Sequence, residues 1–98
     1  MSKIDVPILF LVFNRPKLTN IVFDEIRKSR PSKLYIACDG PRNESENEVV
    51  NQVKVIVGNI DWDCQVKTLF RDFNLGCKLA VSGAIDWFFD NEEMGIIL

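Results

Sequence analysis

The segment Pro7-Ile8-Leu9-Phe10-Leu11-Val12-Phe13 carries no polar side chain at either parity. An extended chain sends alternate side chains to opposite faces, so a strand of this kind must be covered on both sides. Its shortness and its β-branched and aromatic residues favour a strand over a helix. The rest of the chain supplies the covering elements. Pro16 suits the first turn of a helix, and Leu18, Ile21, Val22 and Ile26 follow at helical spacing. Arg27-Lys28-Ser29-Arg30 puts cations near the negative end of that helix, and Pro31 stops it. Residues 33–38 read as a second strand ending at the loop signal Asp39-Gly40-Pro41. A second helix is predicted over residues 43–58, with Val49, Val50, Val53, Ile56 and Val57 on its buried stripe and Gly58 closing it. Residues 64–70 alternate more clearly and give a third strand. A third helix over 75–89 buries Leu79, Ala80, Ala84, Ile85 and Phe88, with Trp87 and Phe89 also read as core. After a polar break at residues 90–93, Gly95-Ile96-Ile97-Leu98 begins a fourth strand. The order β-α-β-α-β-α-β predicts an α/β fold, an open and mostly parallel sheet with right-handed crossovers and helices on both faces.

Composition narrows the function classes. At 98 residues the chain makes one domain at most, and 47% hydrophobic with 27% charged residues is globular composition. A net charge of −2 argues against nucleic-acid binding, which needs clustered Lys and Arg. Without histidine, a Ser-His or Cys-His pair and an imidazole metal site are impossible. Cys38, Cys64 and Cys77 form no CxxC, so reduced thiols and a cytoplasmic location are expected. Cys38 and Cys77 read as small buried hydrophobes. The longest apolar run falls far short of the roughly 20 residues of a spanning helix. Asp5 ahead of that run argues against a signal peptide.

In an open parallel sheet, ligands bind beyond the carboxyl ends of the strands. That rule gathers Asn14, Arg15 and Pro16 after strand one, Asp39, Gly40, Pro41 and Arg42 after strand two, and Arg71, Asp72 and Asn74 after strand three. Gly76 and Lys78 open the helix behind. The set offers a carboxylate, amide donors, helix N-termini and cations, which suits an anionic ligand with a polar ring, such as a nucleotide. Each residue also has a plain structural reading: Asp39 as a turn residue, Asn14 as a helix cap, Arg71 and Lys78 as solvated cations, Gly76 as a close-packing position. Asp61-Trp62-Asp63 has D-x-D spacing but precedes strand three, so it belongs at the amino edge, as do Asp90, Glu92 and Glu93. Neither a GxGxxG nor a P-loop sequence is present.

Val12-Phe13-Asn14-Arg15-Pro16, Cys38-Asp39-Gly40-Pro41-Arg42 and the stretch from Arg71 to Lys78, RDFNLGCK, resemble in order and spacing the N-terminal half of a GT-A-fold nucleotide-diphospho-sugar glycosyltransferase. The nearest likeness is to bacterial sugar transferases distantly similar to N-acetylglucosaminyltransferase I. The resemblance spans essentially residues 1–98. It implies transfer of a sugar from a nucleotide-diphosphate donor, commonly a UDP-sugar, to a hydroxyl of a glycan or lipid-linked acceptor in surface polysaccharide synthesis. It implies that Asn14, Arg15 and Pro16 line the nucleotide pocket and that Asp39, beside Gly40, accepts an N–H from the base. It further implies that Arg71 lies by the base or phosphates and that Asn74, Gly76 and Lys78 flank the nucleotide. It also implies a divalent metal, Mn or Mg, held by an acidic motif that follows the fourth strand and lies beyond Leu98. Because the sequence stops inside the apolar run of the fourth strand, and a parallel strand is normally buried, residues 1–98 are expected to be part of a larger domain whose open sheet edge favours self-association; the alternative is a short, naturally ended chain with Leu98 at a sheet edge. The alternatives are a nucleotidyltransferase, which would want a glycine-rich loop after strand one, and a non-catalytic flavodoxin-like module, which as a receiver would want an acidic pair there.

Overall fold

The computed structural model describes residues 6–98, so the leader-peptide expectation at the N-terminus falls outside the described residues. Four strands, β1 (Ile8–Val12), β2 (Lys33–Cys38), β3 (Gln65–Phe70) and β4 (Ile96–Ile97), alternate with α1 (Pro16–Ser29), α2 (Asn47–Val57) and α3 (Cys77–Asn91). One turn of 3-10 helix, Glu44–Glu46, precedes α2. All the strands run parallel in the order β3-β2-β1-β4, an open α/β, Rossmann-like arrangement. Val12 lies opposite Cys38, and Cys38 opposite Phe70, so three strands end level and their following loops meet.

The two parities of β1 and β2 build two cores. Ile8, Phe10, Val12, Leu34, Ile36 and Cys38 face Phe23 and Ile26 of α1, Val50, Val53 and Val57 of α2, and Trp62. Leu9, Tyr35 and Ala37 face the other way, against Ala84 and Phe88 of α3. Each large side chain fully buried here contributes about 1.5–3 kcal/mol. Trp62 donates its indole N–H to the Pro31 carbonyl at 2.9 Å, so its polar atom is satisfied inside the core. α1 ends where Arg30 takes a left-handed conformation, φ 48°, and its N–H reaches the Ile26 and Arg27 carbonyls. Pro31 then prevents continuation.

Several boundaries and burial expectations need correction. α3 begins at Cys77 and not at residue 75. The N–H groups of Leu75 and Gly76 are taken by the Asp39 carboxylate, and Gly76 sits at φ 88°, outside helical backbone. Only the Ala84–Phe88 stripe of α3 is fully buried, because α3 covers its face of the sheet alone. Leu79 is therefore 62% exposed, Phe89 is exposed, and Cys77 is exposed rather than buried. On α1 the buried stripe is Thr19, Phe23 and Ile26, which turns Leu18 and Ile21 outward. β4 is a short, exposed edge strand, joined to β1 through Ile96 N–H to Pro7 O and Leu98 N–H to Leu9 O. No helix among the described residues is long and apolar enough to cross a membrane.

Candidate functional site

The chain passes from β1 to β2 by α1 on one face and from β3 back to β4 by α3 on the other. The strand order therefore reverses between β1 and β4, and a crevice opens beyond their carboxyl ends. A cavity of about 610 Å³ lies there, and Asn14, Arg15, Asp39, Arg71, Asn74 and Gly76 of the expected set line it. Pro16, Gly40 and Lys78 do not. Pro16 instead occupies the first position of α1 and faces a shallow groove beside α2. Gly40 lies against the backbone of Phe73, where any Cβ would overlap main-chain atoms. Lys78 is exposed on the first turn of α3.

Asp39 is buried and its carboxylate is fully used by the chain itself. Oδ1 accepts the N–H groups of Gly40 and Leu75, both at 2.9 Å. Oδ2 accepts Asn74 Nδ2 at 3.0 Å and the Gly76 N–H at 3.1 Å. Asn74 Nδ2 also donates to the Gly40 carbonyl at 2.8 Å. Four donors match the roughly four lone-pair sites of an ionised carboxylate. Asp39 thus ties the loop after β2 to the loop before α3 and fixes the shape of one cavity wall.

A second buried carboxylate, Glu46, does the same for the opposite wall. Its Oε1 accepts the Arg42 backbone N–H at 2.8 Å and Arg42 Nε at 3.0 Å. Its Oε2 accepts Arg42 Nη2 at 2.6 Å and Asn14 Nδ2 at 2.9 Å. The Arg42 guanidinium and N–H hold the Glu46 carboxyl down at about 2, well below its ordinary value. Arg42 also lies over the Phe13 ring, 5.9 Å from its centroid. Glu46 falls within the helix expected over residues 43–58, away from the strand-end loops that mark the site. The Arg42–Glu46 spacing of four residues, with Arg42 following a strand end, was the available signal.

Against these saturated carboxylates stand Arg15 and Arg71. Among the described residues, neither the Arg15 nor the Arg71 guanidinium has a hydrogen-bonding or carboxylate partner. Arg71 lies along α3, close enough to Gly83 that a Cβ there would meet its Nη2 at 2.9 Å. The N-termini of α1 and α3 open at the same edge, and neither has an acidic residue in its first turn or a side-chain cap. The cavity therefore combines positive helix ends, free guanidinium groups and an apolar floor that includes Leu11, Val12 and Val81.

The thiols differ sharply. Burial pushes the Cys38 thiol up to about 11, which suppresses its thiolate. Cys77 is exposed at the cavity mouth. Among the described residues no three His, Cys, Asp or Glu side chains gather as a metal-binding set, so these residues do not fit the divalent ion that the resemblance implies. Asp61 is engaged by Arg27 Nε at 3.1 Å, near the end of α1 and far from the cavity residues. No protein-family model, no curated protein and no solved structure matches the chain.

Proposed function

We propose that the carboxyl-edge cavity binds the base and diphosphate of a nucleotide-sugar, and that the chain is the nucleotide-binding half of a GT-A-type glycosyltransferase. The observation that carries this reading is the pair of guanidinium groups, Arg15 and Arg71, without a partner among the described residues, on a cavity at the point where the strand order reverses. A diphosphate is the kind of ligand that two such groups and two open helix N-termini complement. The apolar part of the cavity suits a ring with polar edges.

Within this reading Arg15 and Arg71 offset the phosphate charge, and Asn14 faces the base. Asp39 holds the Asn74–Gly76 wall in place. A divalent ion bound elsewhere in the enzyme would act as a Lewis acid on the diphosphate leaving group. The donor is a UDP-sugar, the acceptor is a hydroxyl of a glycan or lipid-linked glycan, and the setting is cytoplasmic polysaccharide synthesis.

The test is a titration with UDP followed by backbone amide NMR, with and without Mg²⁺. Shifts that cluster on Asn14, Arg15, Arg71 and Gly76 and that appear without the metal support the reading. An unmoved spectrum up to about 10 mM UDP, where even the weakest useful affinity would register, overturns it.

A further inference from the structure

We infer that the Asn14 side-chain carbonyl, Oδ1, is the acceptor that reads a ring N–H of the bound base, and that Glu46 is the positioning residue that turns it outward. The inference rests on the nucleotide reading above and assigns the base contact to a different atom than the family resemblance does. Two observations carry it. The first is that the Asp39 carboxylate already accepts four hydrogen bonds from the chain. A base N–H approaching Asp39 would have to displace one of them.

The second is the fixed orientation of Asn14. An amide side chain can present either its oxygen or its nitrogen, and the neighbours decide which. The Glu46 carboxylate only accepts, so the atom of Asn14 that lies 2.9 Å from Oε2 must be the donor Nδ2. Glu46 is itself held by the N–H, Nε and Nη2 of Arg42, which leaves its carboxylate no freedom to turn away. Asn14 Oδ1 has no hydrogen-bond partner among the described residues. No buried side-chain oxygen or nitrogen among them lacks a partner, so Oδ1 is open to solvent. Asn14 lines the cavity, and its open atom is therefore an acceptor with no competing donor of its own. A ring with an N–H at its edge, such as the N3–H of uracil, is complementary to it. A ring that offers only an acceptor at that position is not.

The test compares binding of UDP and of UDP methylated at ring N3, by calorimetry, to the unaltered chain and to the variants Asn14→Ala and Glu46→Gln. Methylation removes the donor, and the expected result is a loss of at least about tenfold in affinity for the unaltered chain. That ratio falls close to one in Asn14→Ala, and it falls in Glu46→Gln because a glutamine can donate to Oδ1 and release the amide orientation. A ratio is read, not an affinity, so general loosening of the loop does not imitate the effect. The side-chain amide protons of Asn14, followed by NMR, give a second readout: their resonances move in Glu46→Gln while the backbone spectrum of β1 and β2 is retained. A methylation penalty that persists in both variants overturns the inference and leaves the nucleotide reading standing, with Asp39 as the acceptor. Equal binding of the two nucleotides by the unaltered chain overturns it as well. A failure of UDP to bind at all removes the nucleotide reading, and the inference with it.

Discussion

The two ends of the sheet use the same residue types to opposite effect. At the amino end, carboxylates meet cations directly: Asp61 with Arg27, and Glu92 with Lys33. Glu92 also accepts the Tyr35 hydroxyl at 2.5 Å, and Tyr35 packs edge-on against Trp87 and Phe88. At the carboxyl end, Asp39 is spent mainly on backbone N–H groups and Glu46 on a single arginine and an asparagine. Arg15 and Arg71 are thereby left without a partner among the described residues. Where carboxylates are absorbed by loops, the remaining cations are available to a ligand. The difference follows from topology, because only the carboxyl end has loops and helix N-termini converging at a strand-order reversal.

The sharpest way to break this comparison is to remove one carboxylate from each end. Asp39→Ala leaves buried N–H groups without an acceptor and is expected to cost about 3 kcal/mol in urea unfolding. Asp61→Ala removes an exposed ion pair and is expected to cost under about 1 kcal/mol. Equal losses would contradict the idea that Asp39 organises the site wall. Next in size is Gly76→Ala, expected to cost about 1–2 kcal/mol because the residue must keep a positive φ although its surroundings are open.

Acid and alkali should separate the two ends. Glu46 titrates near 2 when folded, below its ordinary 4.5, so its contribution is present above pH 4.5 and is lost as the pH falls toward 2. Tyr35 is raised from 10.0 to about 12, chiefly by burial and then by Glu92, so its contribution is present below pH 10 and is lost as the pH rises through 12. Urea midpoints measured across both windows should show Glu46→Gln flattening the acid limb alone and Tyr35→Phe flattening the alkaline limb alone. A smaller, site-specific effect concerns the thiols. A maleimide should label exposed Cys77 first and buried Cys38 only on unfolding, and UDP should slow labelling of Cys77. Unchanged labelling in the presence of saturating UDP would place the ligand elsewhere.

Much of this arrangement is legible in the residues themselves. The apolar run of β1 and the periodic stripes of α1 and α2 specify two-sided burial and the alternating order. The strand-end rule then delivers Asn14, Arg15, Asp39, Arg71, Asn74 and Gly76 to one cavity. What was not legible depends on contacts between residues remote in the chain. Asp39 bonds to Leu75 and Gly76 across more than thirty positions, and no local pattern announces that a carboxylate will be consumed by backbone. The same contact shortens α3 at its start, which propensity alone does not foresee. Periodicity and residue type bury Leu79, Phe89 and Cys77, but α3 has no neighbouring helix on its face, and that fact of topology leaves all three exposed.

The most direct test of the account is calorimetric titration of UDP into three forms of the chain: unaltered, Arg15→Gln/Arg71→Gln, and Arg27→Gln. The carboxyl-edge account predicts that the double variant loses at least about tenfold in affinity while Arg27→Gln, altered at the amino end, binds as the unaltered chain does. Undiminished binding by the double variant, or an equal loss in Arg27→Gln, would contradict it.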